Sequence, residues 1–179
     1  MKYKEQRVGV FVDTANMYYS ARYLFEGKVN FKKVLELAVE DRKLIRARAY
    51  VVRSQSEEEA AFFTALDKQG YEVEMKDLQV FAGGQKKGDW DVGIAVDAIR
   101  MSTGLDVIVL VSGDGDYLPL VEYLQNRGKL VEVVAFGESC ALKLKERADT
   151  FTDLSEHKGK IIIPSGGRPR PVRRNPAGA

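Results

Sequence analysis

The chain has 179 residues, 45% hydrophobic and 30% charged, the length and balance of one soluble globular domain with a substantial core. A single cysteine, Cys140, excludes a disulfide within the chain and fits a reducing compartment, and no apolar run is long enough to span a bilayer. The net charge of +2 hides an asymmetry: six bases and no acids follow Glu156, and without those six the body holds 22 bases against 26 acids.

The N-terminal stretch, Met1 to Val10, lacks the apolar region of a signal peptide, so the cytoplasm is the expected compartment. Arg7 to Val12 is a short apolar run ending at Asp13 and reads as a central first strand. A helix follows from Thr14 to about Phe25, with Ala15, Tyr18, Tyr19, Arg22 and Tyr23 spaced to form one face. On spacing alone, Tyr18 and Tyr19 read as core residues, with stacking on a base as the alternative. Asn30 is a good N-cap for a second helix, Phe31 to about Asp41. Leu44 to Val52 reads as a strand, Glu57 to Gln69 as an acid-led helix closed by Gly70, and Tyr71 to Leu78 as an alternating strand near a sheet edge. The glycines and lysines of Phe81 to Gly88 predict a loop, and Asp89 is placed to cap a helix running to about Met101.

Val107 to Val111 runs without a polar break, the pattern of a strand buried on both faces of a parallel sheet. It stops at Ser112-Gly113-Asp114-Gly115-Asp116. A helix from Asp116 to Asn126, with Pro119 in its first turn, a strand from Leu130 to Phe136, a short helix from Cys140 to about Ala148 and a last strand stub at Phe151 to Asp153 complete the alternation. Strands and helices that alternate throughout predict an α/β fold with a mainly parallel sheet. The pattern lapses from Gly159. Ile161 to Ile163 is expected to dock, while Pro164 to Ala179 reads as a flexible tail. The expected division is therefore a domain over residues 1–158 and a basic tail over 159–179. Arg168, Arg170, Arg173 and Arg174 of that tail are candidates for binding a polyanion such as RNA, and a solubilising tail fits the composition equally well.

Four aspartates occupy comparable places. Asp13 follows the first strand, Asp91 lies in the first turn of a helix, and Asp114 and Asp116 follow the fourth strand. Adjacent parallel strands bring their C-terminal ends together, where open α/β sheets bind ligands. Two bare carboxylates about 4 Å apart repel by roughly 4 kcal/mol at an effective dielectric near 20, so a cation is expected among them. An oxygen-only ligand set suits Mg²⁺ or Mn²⁺. Zinc is disfavoured, because His157 and Cys140 are the sole residues of their types. With no histidine base, water acidified by the metal is the expected nucleophile.

Lys86 and Lys87, on the glycine-rich loop before Asp91, can meet a phosphate; for Lys86 a solvated loop is an equal alternative. Asn16 and Ser112 can hydrogen-bond a carboxylate or phosphate oxygen. Asp97 lies about 240° around an ideal helix from Asp91, so it is either a supporting residue of the site or a structural carboxylate. Trp90 is equally ambiguous, Cys140 is expected to be structural and His157 solvated. Asp114-Gly115-Asp116 lacks the remaining ligands of a calcium loop, and no Walker A or complete dinucleotide fingerprint is present. Asp13-Thr14-Ala15 lacks the second acid of an aspartyl-nucleophile phosphatase.

Three segments carry a resemblance. Asp13-Thr14-Ala15-Asn16, Lys87-Gly88-Asp89-Trp90-Asp91-Val92 and Ser112-Gly113-Asp114-Gly115-Asp116-Tyr117 resemble, in order, the three motifs of the NYN domain. They are most similar to its LabA-like bacterial branch, within the PIN-like nuclease superfamily. The resemblance spans roughly Arg7 to Asp153. It implies a three-layer α/β/α sandwich, PIN-like and Rossmann-like, and metal-dependent cleavage of RNA, with an endonucleolytic mode expected. It implies a metal site at Asp13, Asp91, Asp114 and Asp116 with Asn16 as polar partner. Its Lys-Gly pair matches Lys87-Gly88, and Asp89 is either a ligand or a cap. The reading of the residues makes Asp13 and Asp114 direct ligands, with Asp91 and Asp116 bound directly or through water. A competing reading is an RNA-binding or regulatory module that keeps the pocket and cleaves poorly; a third is a metal-dependent phosphatase acting on a small substrate. A homodimer is left open.

Overall fold

The computed structural model describes residues 2–54 and 56–165. Chain order is β1 (Arg7–Asp13), α1 (Thr14–Phe25), β2 (Gly27–Val29), α2 (Phe31–Val39), β3 (Lys43–Arg53), α3 (Glu57–Lys68), β4 (Glu72–Asp77), β5 (Gln79–Val80) and β6 (Lys86–Lys87). It continues with α4 (Asp91–Met101), β7 (Val107–Val111), α5 (Leu118–Asn126), β8 (Leu130–Ala135), α6 (Leu142–Arg147), β9 (Thr150–Asp153), α7 (Lys158–Ile161) and β10 (Ile162–Pro164).

The central sheet has six strands in the order β4-β3-β1-β7-β8-β9, every pair parallel. Numbered by their own succession, the strands run 3-2-1-4-5-6, the doubly wound arrangement. The two arms wind away from β1 in opposite directions. Right-handed crossovers therefore place their helices on opposite faces and give three layers. All five residues of β7 are buried, as are Val8 to Val12 of β1 and Val131 to Ala135 of β8. Apolar side chains buried on both faces, each contributing roughly 1.5–3 kcal/mol, make these three strands the centre of the core. No helix among the described residues is long and apolar enough to cross a membrane.

A buried ion pair ties the second layer to the sheet. Arg42, just past α2, donates twice to Glu132 on β8, at 2.8 and 2.9 Å, and to the Ala38 and Val39 carbonyls at the end of α2. The same guanidinium thus satisfies open carbonyls of a helix C-terminus and a carboxylate inside the sheet.

Four local expectations change. Phe81 to Gly88 is not wholly loop: Lys86 and Lys87 pair with Val80 and Gln79 as a small antiparallel hairpin, turned with Gly84 at φ 76°. Trp90, not Asp89, occupies the N-cap of α4, because its indole nitrogen donates to the Val51 carbonyl at 2.8 Å and fixes it there. The face of α1 that enters the core is Thr14, Met17, Ser20 and Ala21, while Tyr18, Tyr19 and Tyr23 are exposed. Helix α6 begins at Leu142 rather than Cys140, after a short turn at Gly137–Ser139. The docking expected of Ile161 to Ile163 is present: Ile161 is buried, and β10 pairs antiparallel with β2. Lys158 to Pro164 thus lie on the folded body. Arg168, Arg170, Arg173 and Arg174 fall outside the described residues.

Candidate metal centre

Strands β1 and β7 are neighbours, with Val12 opposite Val111. Asp13 and Ser112 therefore leave the sheet side by side, at the point where the strand order reverses and the two adjacent crossovers part. Asp13 caps α1, its Oδ1 accepting from the Asn16 amide at 3.1 Å. Asn16, one turn into α1, reaches across to the next loop and accepts from the Gly113 amide at 2.9 Å. Gly113 lets the two loops approach closely: a Cβ would stand 3.0 Å from the Cys140 Cα and 3.2 Å from the Ser139 carbonyl, tight enough to push that backbone by a few tenths of an ångström. Asp114 then folds its own loop, accepting from the Asp116 amide at 2.9 Å. The turn Gly115–Tyr117 follows and carries Tyr117 inward.

Asp91, Asp114 and Asp116 each offer one carboxylate oxygen, and the three oxygens lie within 4.8 Å of one another. They come from the first turn of α4 and from the loop after β7. Asp13 does not belong to that group of three. It stands behind it, joined by two hydroxyls. Ser112 Oγ lies 3.3 Å from Asp13 Oδ2 while accepting from the Asp114 amide, so its hydrogen is free for Asp13. Tyr117 Oη lies 3.1 Å from Asp91 and 3.4 Å from Asp13. One phenolic hydrogen serves only one of them at a time, and the shorter distance favours Asp91.

The electrostatics are those of uncompensated charge. Burial raises the Asp13 carboxyl above the ordinary range, with the Asp91 charge adding to it and the bonds from Asn16, Ser112 and Tyr117 opposing it. Burial also raises Asp91, opposed by Tyr117 and reinforced by the charges of Asp114, Asp89 and Asp116. Burial and the Asp13 and Asp91 charges push the Tyr117 phenol far upward, so it remains a donor at neutral pH. Among the described residues, no lysine, arginine or histidine forms an ion pair with Asp13, Asp91, Asp114 or Asp116. Converging oxygens, like charges and no internal cation fit a hard divalent ion such as Mg²⁺ or Mn²⁺.

Residues 7–155 match the model of the NYN domain. The chain belongs to that family. The match to the LabA-like branch appears in the curated relatives. The chain is 26% identical over 182 residues to the low amplitude and bright protein LabA of Synechococcus elongatus, covering 96% of this chain and 95% of that protein. It is also 26% identical over 154 residues to MJ0482 of Methanocaldococcus jannaschii, covering 85% of this chain and 57% of that protein. The crystal structure of VPA0982 from Vibrio parahaemolyticus, a protein of unknown function, superposes with a TM-score of 0.82 at 30% identity, over 91% of this chain and 99% of that one. The fold and the acidic centre are thus those of a PIN-like nuclease superfamily member with a group of aspartates able to hold a metal.

The remaining residues singled out in this NYN chain divide by place. Asp89 is half exposed between Lys87, whose Nζ is 4.0 Å away, and Asp91, which feels its charge. Asp97 faces away from the centre: it accepts from Arg48 and from the Tyr50 hydroxyl, each at 2.9 Å. Tyr18 accepts from Arg22 at 3.1 Å and packs edge-on to Tyr19. Trp90 is scaffold, packed against Tyr50 and Gly93. Cys140 is buried, its thiol pushed up to about 11, which leaves it unreactive. His157 is half-buried in the turn before α7 rather than solvated. Tyr117 is the residue that sequence reasoning passed over. Its signal was its place directly after Asp116 in the third motif, where the turn swings it back toward Asp13.

Proposed function

We propose that this NYN chain is a metal-dependent ribonuclease that hydrolyses RNA phosphodiester bonds, with Mg²⁺ or Mn²⁺ held by Asp91, Asp114 and Asp116. The observation that carries the reading is the group of three carboxylates, without an ion pair to any cation among the described residues, at the switch point of the sheet. A divalent ion bound there supplies Lewis acidity toward a phosphate oxygen and acidifies a water.

The chain's own residues do the rest. Tyr117 donates to Asp91 and would orient that carboxylate toward a bound ion. Asp13 anchors Asn16 and accepts from Ser112, holding the loop of Asp114 in register with α1. Asn16 spends its carbonyl oxygen on Gly113, which leaves its amide hydrogens to donate to a phosphate. Lys87 supplies a cation on the approach to Asp91.

Labelled single-stranded RNA, structured RNA and DNA incubated with Mg²⁺, Mn²⁺ or chelator test the reading. Metal-dependent cutting of RNA is expected. Asp114→Asn should lower it by more than the roughly 10- to 100-fold that loss of a supporting residue costs. Equal rates in wild type and Asp114→Asn would show that the cutting belongs to a contaminant. Tight RNA binding without turnover would favour the regulatory module.

A further inference from the structure

The β5–β6 hairpin leads directly into the acidic centre, and its two ends differ in packing. At its base, Gly88 lies so close to the sheet that a Cβ would meet Val52 at 2.7 Å and Leu78 at 2.9 Å. Trp90 next to it is bonded to the Val51 carbonyl, and Lys76 Nζ stands 4.6 Å from its ring centre. At the tip, a Cβ on Gly83 or Gly84 would find no atom within 4 Å. The base is fixed and the tip is open.

The register decides what the hairpin presents. Gln79 opposes Lys87 and Val80 opposes Lys86. The Phe81 amide donates to the Gln85 carbonyl at 2.8 Å, which carries the same register one pair further. Opposed residues share a face and successive residues alternate. Gln79, Phe81, Gln85 and Lys87 therefore lie on one face, with Val80 and Lys86 on the other. Lys87 of the first face has its Nζ 4.0 Å from Asp89, whose charge acts on Asp91. On that face Phe81 is 51% exposed.

We propose that Phe81 is a base-stacking platform that directs the centre to single-stranded RNA. This rests on the ribonuclease reading above and deepens it. Two residues of strand, roughly 7 Å, separate the aromatic ring from the level of the Lys87 cation, a span one nucleotide covers between its base and its phosphate. Lys87 takes the phosphate and Phe81 takes the face of the base. A base in a duplex is already stacked on both sides and offers no face, so the platform admits an unpaired nucleotide and rejects a paired one. Stacking reads the π-face that every base has, so sequence preference at this nucleotide is weak. The open glycine tip lets the ring adjust, while the anchored base keeps Lys87 in place.

Fluorescence anisotropy on the full chain, with Ca²⁺ replacing Mg²⁺ to suppress turnover, measures binding of a single-stranded RNA and of its duplex. Phe81→Ala should weaken single-strand binding about tenfold and leave duplex binding and the thermal midpoint unchanged. Phe81→Trp should restore it. In Mg²⁺, KM for single-stranded RNA should rise with kcat retained. Equal losses on both RNAs, no loss on either, or failure of Phe81→Trp to rescue would overturn the platform. If wild type cuts RNA and Phe81→Ala leaves KM unchanged, the platform fails and the ribonuclease reading stands. If single-strand binding depends on Phe81 but nothing is cut, the reverse holds.

Discussion

Helix α4 places one aspartate in each of two acidic clusters, and their surroundings differ. Around Asp97 the protein supplies its own cations. Arg48 lies 2.9 Å from Asp97, 3.0 Å from Glu74 and 3.4 Å from Glu72, and Arg46 also pairs with Glu72. The bond from Arg46 holds the Glu72 carboxyl below its ordinary range. Around Asp91 the neighbours are Asp114, Asp116 and Asp89, and the one direct donor among the described residues is a phenol. There the carboxyl is raised. A cluster needed only for structure is closed by guanidinium groups that never leave. A cluster left open at the start of the same helix is able to take a cation from outside.

The contrast breaks most visibly at Arg48. Arg48→Met keeps much of the stem and removes the charge, which strips Glu74 of the Arg48 cation and leaves Asp97 with the exposed Arg100 at 3.4 Å and the Tyr50 hydroxyl. The expected loss is about 3 kcal/mol, the low end for breaking a buried pair, since both partners keep slight exposure (16% and 14%). For a chain of this size that is a fall in Tm of roughly 6–12 °C. Calorimetry checks it, and Asp97→Asn in the same background should recover part of the loss. A midpoint that did not move would mean the guanidinium is not what holds this cluster.

Tyr117→Phe sharpens the other side. It keeps the buried ring and removes the one donor shared by Asp91 and Asp13. Metal affinity is expected to fall by roughly 10- to 100-fold, the usual cost of losing a partner behind a ligand. Isothermal titration with Mn²⁺ reads this directly. Unchanged affinity would make the hydroxyl a packing feature of the turn.

How much of this was legible depended on whether a residue's fate was set locally. The unbroken apolar run Val107 to Val111 needed no neighbours to declare itself central, and the acids after it marked a strand end. Asp114 and Asp116 were therefore legible in place and in kind. Depth was not. Asp13 and Asp114 follow adjacent strands, yet Asp13 stays low as the cap of α1 while Asp114 rides on a loop lifted by Gly113 and Gly115. Partners distant in sequence were hidden too: nothing near Asp97 announces Arg48, 49 positions earlier, because that contact exists only once α4 packs across β3. The tyrosines of α1 misled for another reason. Both faces of that helix mix polar and apolar residues, so spacing could not say which one meets the sheet. The opposite face, Thr14, Met17, Ser20 and Ala21, is the one that packs on the sheet, and the larger tyrosines stay outside.

Asp91→Asn gives the smallest effect, and its sign is the most informative. The Asp91 and Asp13 carboxyls are raised in the folded chain, so the native state holds their protons more tightly than the unfolded chain does. Their contribution to stability is complete below the unfolded value, near 3.9, and is lost as pH rises through the raised native values. At neutral pH the metal-free protein therefore carries the cost of ionising them. Asp91→Asn should remove its share and raise metal-free stability by no more than about 1 kcal/mol, because the group is only half-buried and solvent partly screens its repulsions. The same substitution should abolish most of the stabilisation that Mn²⁺ gives wild type. Denaturant curves at pH 7 and near pH 3.5 separate charge from packing. Asp91 is largely protonated at the lower pH and has little repulsion left to relieve, so the two proteins should converge there. A gap that persisted would assign the gain to the shape of the amide, and the open cluster would then owe its character to something other than unpaired charge.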